Sequence, residues 1–223
     1  MNPDYQKLIG ALMYLAVGTR PDICFAVSYL SQFNNSNSKE HFSAAKRVVR
    51  YLKGTASLGI TYSKKDKNLV GYADADYGSC VVDRRSFTGY VFMLGGGAIS
   101  WKARKQTSVT IADSTTFAEY VAISECGKEC MFLKQLMKEL KSPTGTVTIY
   151  NDNSSANQLC NSHTSHARSK HIDVKYHQIK EWVKRGEIEV SYLPGEEMIA
   201  DFLTKVLSKK KHWACAVGLG LKN

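Results

Sequence analysis

The chain has 223 residues, enough to bury one good core, or one core with a smaller appendage. A hydrophobic share of 43% and a charged share of 22% are those of a globular protein. No stretch approaches the ~20 apolar residues of a bilayer-spanning helix, so a membrane is not expected as a partner. Thirty Lys and Arg against twenty Asp and Glu leave a net charge of +10. That balance suits a polyanion such as nucleic acid, though a surface of solvated lysines would give it too.

The opening residues, Met1 to Lys7, show no basic segment followed by an apolar one, so no secretory leader is expected. The six cysteines (Cys24, Cys80, Cys126, Cys130, Cys160, Cys215) include no Cys-x-x-Cys pair and read as reduced thiols of an intracellular chain. Cys126 and Cys130 stand four apart on an expected helix. Zinc would need two further ligands, with His163 and His166 the candidates, and plain core or surface thiols are favoured.

In chain order, Leu8, Ile9, Leu12, Met13 and Ala16 mark one amphipathic helix, and Ile23, Ala26, Val27, Leu30 and Phe33 a second. Gly18 to Asp22 separates them, with Pro21 suited to an early helical position. After the polar run Asn34 to Ser38, a third helix turns Phe42, Ala45, Val49 and Leu52 inward and Lys46, Arg47, Arg50 and Lys53 outward, ending at Gly54. From Leu58 the period changes. Ile60 to Tyr62 is a short extended piece, and Leu69 to Ala73 a strand. Thr88 to Leu94 and Ala98 to Lys102 are strands joined by three glycines. A long helix is expected from Ser114 to Leu140, a strand from Val147 to Tyr150, and a brief helix after Ser154. A helix from Ile172 to Arg185, a strand from Ile188 to Leu193 and a last helix from Glu197 to Leu207 complete the pattern. This order predicts an α/β fold, a mixed five-stranded sheet flanked by helices and preceded by a small helical appendage. Lys209-Lys210-Lys211 reads as a frayed, solvated end.

Four acids stand at telling places. Asp74 and Asp152 follow the apolar strands 69–73 and 147–150, where a sheet presents side chains to a cleft. Glu119 lies in the first turns of the long helix, and Asp201 near the start of the last. Each sits among apolar neighbours, which is costly unless something positive meets it. Taken singly, each is a capping or solvated carboxylate. Taken together they suggest a site for hard divalent cations. Magnesium favours oxygen ligands, and two ions ~3.5–4 Å apart can clamp both oxygens of a phosphodiester displacement.

The same residues carry a resemblance. Tyr5 to Leu15, Thr19 to Ile23 and His41 to Thr55 resemble the C-terminal (connection) part of the reverse transcriptase in copia-type retrotransposon Pol polyproteins. Gly71-Tyr72-Ala73-Asp74-Ala75-Asp76, Asp83 to Phe92, Ala118-Glu119-Tyr120, Asp152 to Ala156, Ser169 to Asp173 and Ala200 to Lys205 resemble the ribonuclease H domain that follows it. The resemblance divides the chain into a connection segment (1–55), a ribonuclease H-like domain (56–208) and a basic tail (209–223). It implies a two-metal endonuclease that cuts the RNA strand of RNA–DNA hybrids, leaving a 5′-phosphate and a 3′-hydroxyl. Its cofactor would be two Mg2+ ions, with Mn2+ as a substitute. Asp74 would bridge both ions, Asp201 would help hold the one that activates water, and Glu119 and Asp152 the one at the leaving oxygen. Its partners would be the hybrid, read through 2′-hydroxyls and backbone, and the upstream polymerase domain. Its setting would be a cytoplasmic particle, with the nucleus left open by the lysine run.

Some positions depart from the family. Phe117 stands where a glutamate is usual, and Val206 where a proline is common. Asp76 competes with Asp74 as the bridging ligand, and Asp74 is favoured. The link Leu193 to Glu197 lacks the histidine of many cellular ribonucleases H. His171 and His177 are candidate substitutes, though a structural role suits either better. Arg84, Arg85, Lys102, Arg104, Lys105, Arg168, Lys170 and His171 are candidate nucleic-acid contacts, with Lys175 beside them, since phosphates supply most of the affinity. Trp101 reads as core before stacking platform. Nothing resembles a polymerase Asp-Asp turn, so DNA synthesis is not expected. A decayed or domesticated copy that binds nucleic acid without cutting it is the second reading. A phosphatase-like hydrolase of small substrates fits the basic balance poorly.

Overall fold

The computed structural model describes residues 2–64, 67–78, 84–106, 115–162 and 177–223. Helix α1 (Pro3–Gly18), a 3-10 turn (Pro21–Ile23), α2 (Cys24–Ser31) and α3 (Lys39–Gly54) come first. Then follow β1 (Gly59–Ile60), β2 (Val70–Ala75), β3 (Phe87–Leu94), β4 (Gly97–Lys105), α4 (Thr115–Glu139), β5 (Val147–Asn151) and α5 (Ser154–Asn161). The chain closes with α6 (Gln178–Lys184), β6 (Ile188–Tyr192), a second 3-10 turn (Ile199–Leu203), α7 (Lys209–Gly218) and β7 (Leu221–Lys222).

Local chemistry sets several of these boundaries. The Asn2 side chain accepts from the backbone of Asp4 and Tyr5, and Pro3 opens α1. Ser38 and His41 form a reciprocal cap on α3. The five long strands form one sheet in the order β4-β3-β2-β5-β6. The β2–β3 and β3–β4 pairs are antiparallel, and the β2–β5 and β5–β6 pairs parallel. Parallel neighbours need crossovers, and α4 supplies the one between the antiparallel half and β5. The mixed sheet with flanking helices is as expected from the sequence.

Each face of the sheet carries its own core. On one, Ala73, Tyr90, Phe92, Val147, Ile149, Ile188 and Val190 meet Tyr120, Ile123, Cys126 and Cys130 of α4 and Ile179 of α6. On the other, Val91, Ala98 and half-buried Tyr72 and Trp101 meet Tyr5, Ile9, Leu12 and Ala16 of α1, with Val27, Ala45, Phe202, Leu203, Cys215 and Leu219. The helical appendage is therefore seated on the sheet. Trp101 belongs to this core, and its Nε1 donates to the Ala16 carbonyl at 2.8 Å.

Three expectations about elements change. The strand from Ala98 runs on to Lys105. The last helix is only the 3-10 turn Ile199–Leu203. It sits so close to β3 that a Cβ on Gly89 would stand 2.6 Å from Leu203 Cβ and 2.7 Å from Thr204 Cγ2. The lysine run opens α7, with Ser208 as its cap, and the end of the chain pairs β7 with β1. Burial of Cys215, Leu219 and Leu221 holds that end in place. The helix expected from Ile172 is seen from Gln178, and residues 163–176 lie outside the described ones. No helix among the described residues is long and apolar enough to cross a membrane.

Candidate active site

The two central strands, β2 and β5, run parallel and end at the same edge of the sheet. Asp74, paired with Gly89, projects with Tyr72 from the face that α1 covers, while Ala73 and Ala75 face α4. Asp152 directly follows β5, and the 3-10 turn brings Asp201 over β2. One oxygen each from Asp74, Asp152 and Asp201 lies within 4.8 Å of the other two. Asp74 is 1% exposed and Asp201 2%, and Asp152 is half-buried.

Glu119 approaches from α4 and stands outside that trio. Its Oε2 accepts from the Ala75 amide at 3.1 Å and from Asn151 Nδ2 at 2.7 Å. Asn151 also donates to the Ala73 carbonyl at 2.9 Å, so one amide ties α4, β2 and β5 together. Asp76 is turned elsewhere: its side chain accepts from the Phe87 amide at the start of β3. Between the two aspartates the sequence weighed, Asp74 is the one in the cluster.

The charge arrangement is unusual. Burial, with Asp201 and Asp152 close by, pushes the Asp74 carboxyl up to about 6 despite Lys205. Burial and the Asp74 charge raise Glu119 well above the ordinary range, and burial also raises Asp152. Two ammonium groups answer this crowding. Lys205 Nζ is 2.7 Å from Asp201 Oδ1 and 3.6 Å from Asp74 Oδ2. Lys211, at the start of α7, meets Asp201 Oδ2 and the Gly195 carbonyl at 2.9 Å. Thr204 Oγ1 donates to Asp74 Oδ2. Asp74 Oδ1 is buried with no hydrogen-bond partner among the described residues. A buried, unpartnered oxygen on an aspartate clustered with two further acids fits a hard divalent cation such as Mg2+ or Mn2+.

Thr204, Lys205, Lys211 and Asn151 were not singled out in the sequence. The first two lie inside the Ala200–Lys205 motif and Asn151 adjoins Asp152, so adjacency was a usable signal. Lys211 offered none, because only the fold of α7 carries it to Asp201.

The expected nucleic-acid contacts are scattered. Arg84 is exposed, Arg85 and Lys102 are half-buried, and Arg84 has a positive φ of 54°. Arg104 pairs with Glu125 at 3.5 Å, and Lys105 donates to Gln32 at 2.7 Å. Arg168, Lys170, His171 and Lys175 lie outside the described residues, as do Cys80, His163 and His166. His177 Nδ1 is 3.0 Å from the Tyr120 hydroxyl, a bridge between α4 and α6. Phe117 packs against the α4-side core. Cys126 and Cys130 are buried free thiols whose pKa values burial raises, the opposite of what a zinc thiolate requires.

Strand order, strand directions and acids gathered at the ends of the two central strands define a ribonuclease H-like fold. Across 217 residues, 97% of its length, the chain is 42% identical to the retrovirus-related Pol polyprotein from transposon TNT 1-94 of Nicotiana tabacum, covering 16% of that protein. It is 38% identical to the corresponding polyprotein from transposon RE1 of Arabidopsis thaliana, over 97% of the chain and 15% of that protein. The chain belongs to the copia-type retrotransposon Pol polyprotein family, and spans about one sixth of the length of these relatives. No family model matches it. Among solved structures, an N-terminal ribonuclease H domain from Mycobacterium tuberculosis is similar at 14% identity and a TM-score of 0.46, over 68% of this chain and 97% of that one.

Proposed function

We propose that this chain is the ribonuclease H part of a retrotransposon reverse transcriptase and hydrolyses the RNA strand of RNA–DNA hybrids with two Mg2+ ions, Mn2+ substituting. The observation that carries this reading is the trio Asp74, Asp152 and Asp201, with Asp74 Oδ1 buried and unpartnered. Bound ions would lower the pKa of the attacking water and offset charge on the leaving oxygen. Asp74, Asp152 and Asp201 would hold them, and Glu119, braced by Asn151 and the Ala75 amide, would complete the donor set. Thr204 holds one oxygen of Asp74 and so sets the direction of the other. Water would add at phosphorus as the P–O3′ bond breaks, leaving a 5′-phosphate and a 3′-hydroxyl.

The reading extends to the division at residues 55 and 208, the upstream polymerase domain as partner, and a cytoplasmic particle or the nucleus as setting. The test is cleavage of an end-labelled RNA–DNA hybrid in Mg2+, with a chelator control and Asp152→Asn alongside. RNA-strand cuts that disappear in both controls are expected, a loss of at least ~1000-fold in rate. A folded chain that binds the hybrid and never cuts it would sink the enzymatic reading. The binding-only reading would then stand, with Lys205 and Lys211 as permanent counter-ions of the acids.

A further inference from the structure

Helix α3 concentrates positive charge on its exposed side. Lys39, Lys46, Arg47, Arg50 and Lys53 are all exposed, against a single acid, Glu40. At 100° per residue, Lys39, Lys46, Arg50 and Lys53 fall within an arc of about 60° and extend for about 21 Å along the helix. The buried positions Ala45 and Val48 lie on the far side. Lys39, Arg47, Arg50 and Lys53 have no ion-pair partner among the described residues, and Lys46 lies 4.6 Å from the centre of the Phe42 ring. Several cations of other elements meet acids: Arg20 with Asp22, Arg104 with Glu125, Lys134 with Glu187, and Lys205 and Lys211 with Asp201.

The inner side of the same helix is tied to the elements that carry the acid cluster. Tyr51, one turn after Arg47 and next to Arg50, donates to Asp22 at 2.7 Å and meets the His212 ring edge-on at 5.7 Å. His212 Nε2 is 3.0 Å from the Asp22 carbonyl, and its neighbour Lys211 reaches Asp201. Exposed Lys209 and Lys210 precede Lys211 in the first turn of α7.

We propose that the outward face of α3 is a second binding surface that grips the phosphate backbone of a nucleic-acid duplex whose scissile strand lies at the carboxylates. This rests on the function proposed above. The face has long cations and one half-exposed aliphatic, Val49, so it suits a polyanion and lacks the apolar anchors of a protein or lipid contact. A duplex held only at the acids would be free to pivot, and a row of phosphate contacts ~20 Å long would set its direction without reading sequence.

The test measures binding of a hybrid of about 24 base pairs by fluorescence anisotropy across a salt series, in chelator so that nothing is cut. The unmodified chain is compared with Lys46→Gln/Arg47→Gln/Arg50→Gln/Lys53→Gln. A control removes four exposed charges from the opposite side (Lys138→Gln/Lys141→Gln/Lys184→Gln/Arg185→Gln), and circular dichroism checks each fold. The α3 variant should reduce the slope of log K against log salt by about 3 and weaken binding on the order of 30-fold at about 0.1 M salt. The control should stay within about threefold. An unchanged slope in the α3 variant, or equal losses in both, overturns the proposal. Cleavage by the unmodified chain in Mg2+, run in parallel, separates this failure from failure of the nuclease reading.

Discussion

The two faces of the sheet are held by different means. Against α4 and α6 the contact is apolar, with Ile149, Phe92, Tyr120, Cys126 and Cys130 at its centre. Against α1–α3 and α7 an apolar layer is crossed by directed polar ties. Arg20 bonds Asp22 and Thr55, Tyr51 and His212 converge on Asp22, Trp101 bonds Ala16, and Lys211 bonds Asp201. The first face places one buried carboxylate of the site, Glu119, at its edge, held by Asn151 and the Ala75 amide. The second must hold buried carboxylates next to one another, and it does so with groups from both ends of the chain. Apolar contacts tolerate small displacements, whereas a carboxylate oxygen aimed at an ion does not, which is why directed bonds concentrate there.

Breaking the first face should cost stability and spare the site. Ile149→Ala, fully buried, is expected to lower unfolding free energy by about 2–5 kcal/mol in denaturant titration. Mn2+ affinity by calorimetry should change less than about threefold. A large loss of Mn2+ affinity in the folded variant would show that the two faces are not separable in this way.

The second face should respond to pH. Asp74 has a folded pKa near 6 against 3.8 for an ordinary aspartate. A carboxylate with a raised folded pKa contributes stability fully present below the lower value and lost as pH rises through the higher. The ion-free chain should therefore lose on the order of 2–3 kcal/mol between about pH 4 and pH 6 from this group. Glu119 and Asp152 are shifted in the same direction. Mg2+ needs the deprotonated acids, so its stabilisation should be larger at about pH 7.5 than at about pH 5 in thermal unfolding. An equal shift at both would place the ion elsewhere.

The smallest effect sharpens the comparison most. Thr204→Val keeps the shape and removes the donor to Asp74, at a cost of about 1 kcal/mol in stability. It should weaken Mn2+ binding by about tenfold while leaving hybrid affinity in chelator unchanged, and Thr204→Ser should restore it. Failure of serine to rescue would reduce Thr204 to a filler beside Gly89.

Much of this was legible in the residues because it is periodic or adjacent. The apolar runs 69–73 and 147–150 gave the two central strands, helical spacing the buried side of α1, and strand ends the acids Asp74 and Asp152; in α3 the spacing put Val49 inward, whereas Val48 is buried and Val49 is 40% exposed. Glycine 89 and the lysines after Ser208 were not legible, since their roles depend on what lies across from them. Only the tertiary structure could shorten the last expected helix to a 3-10 turn, because close contact between Leu203, Thr204 and a strand far earlier in the chain outweighs local helical preference. Only it could decide that Asp74 and not Asp76 joins the cluster, since the Phe87 amide from the next strand claims Asp76. The sequence by itself determined which acids were available and on which elements. Their grouping and their counter-charges came from contacts between residues up to 190 apart, as at Asp22 and His212, and such contacts leave no local pattern to read.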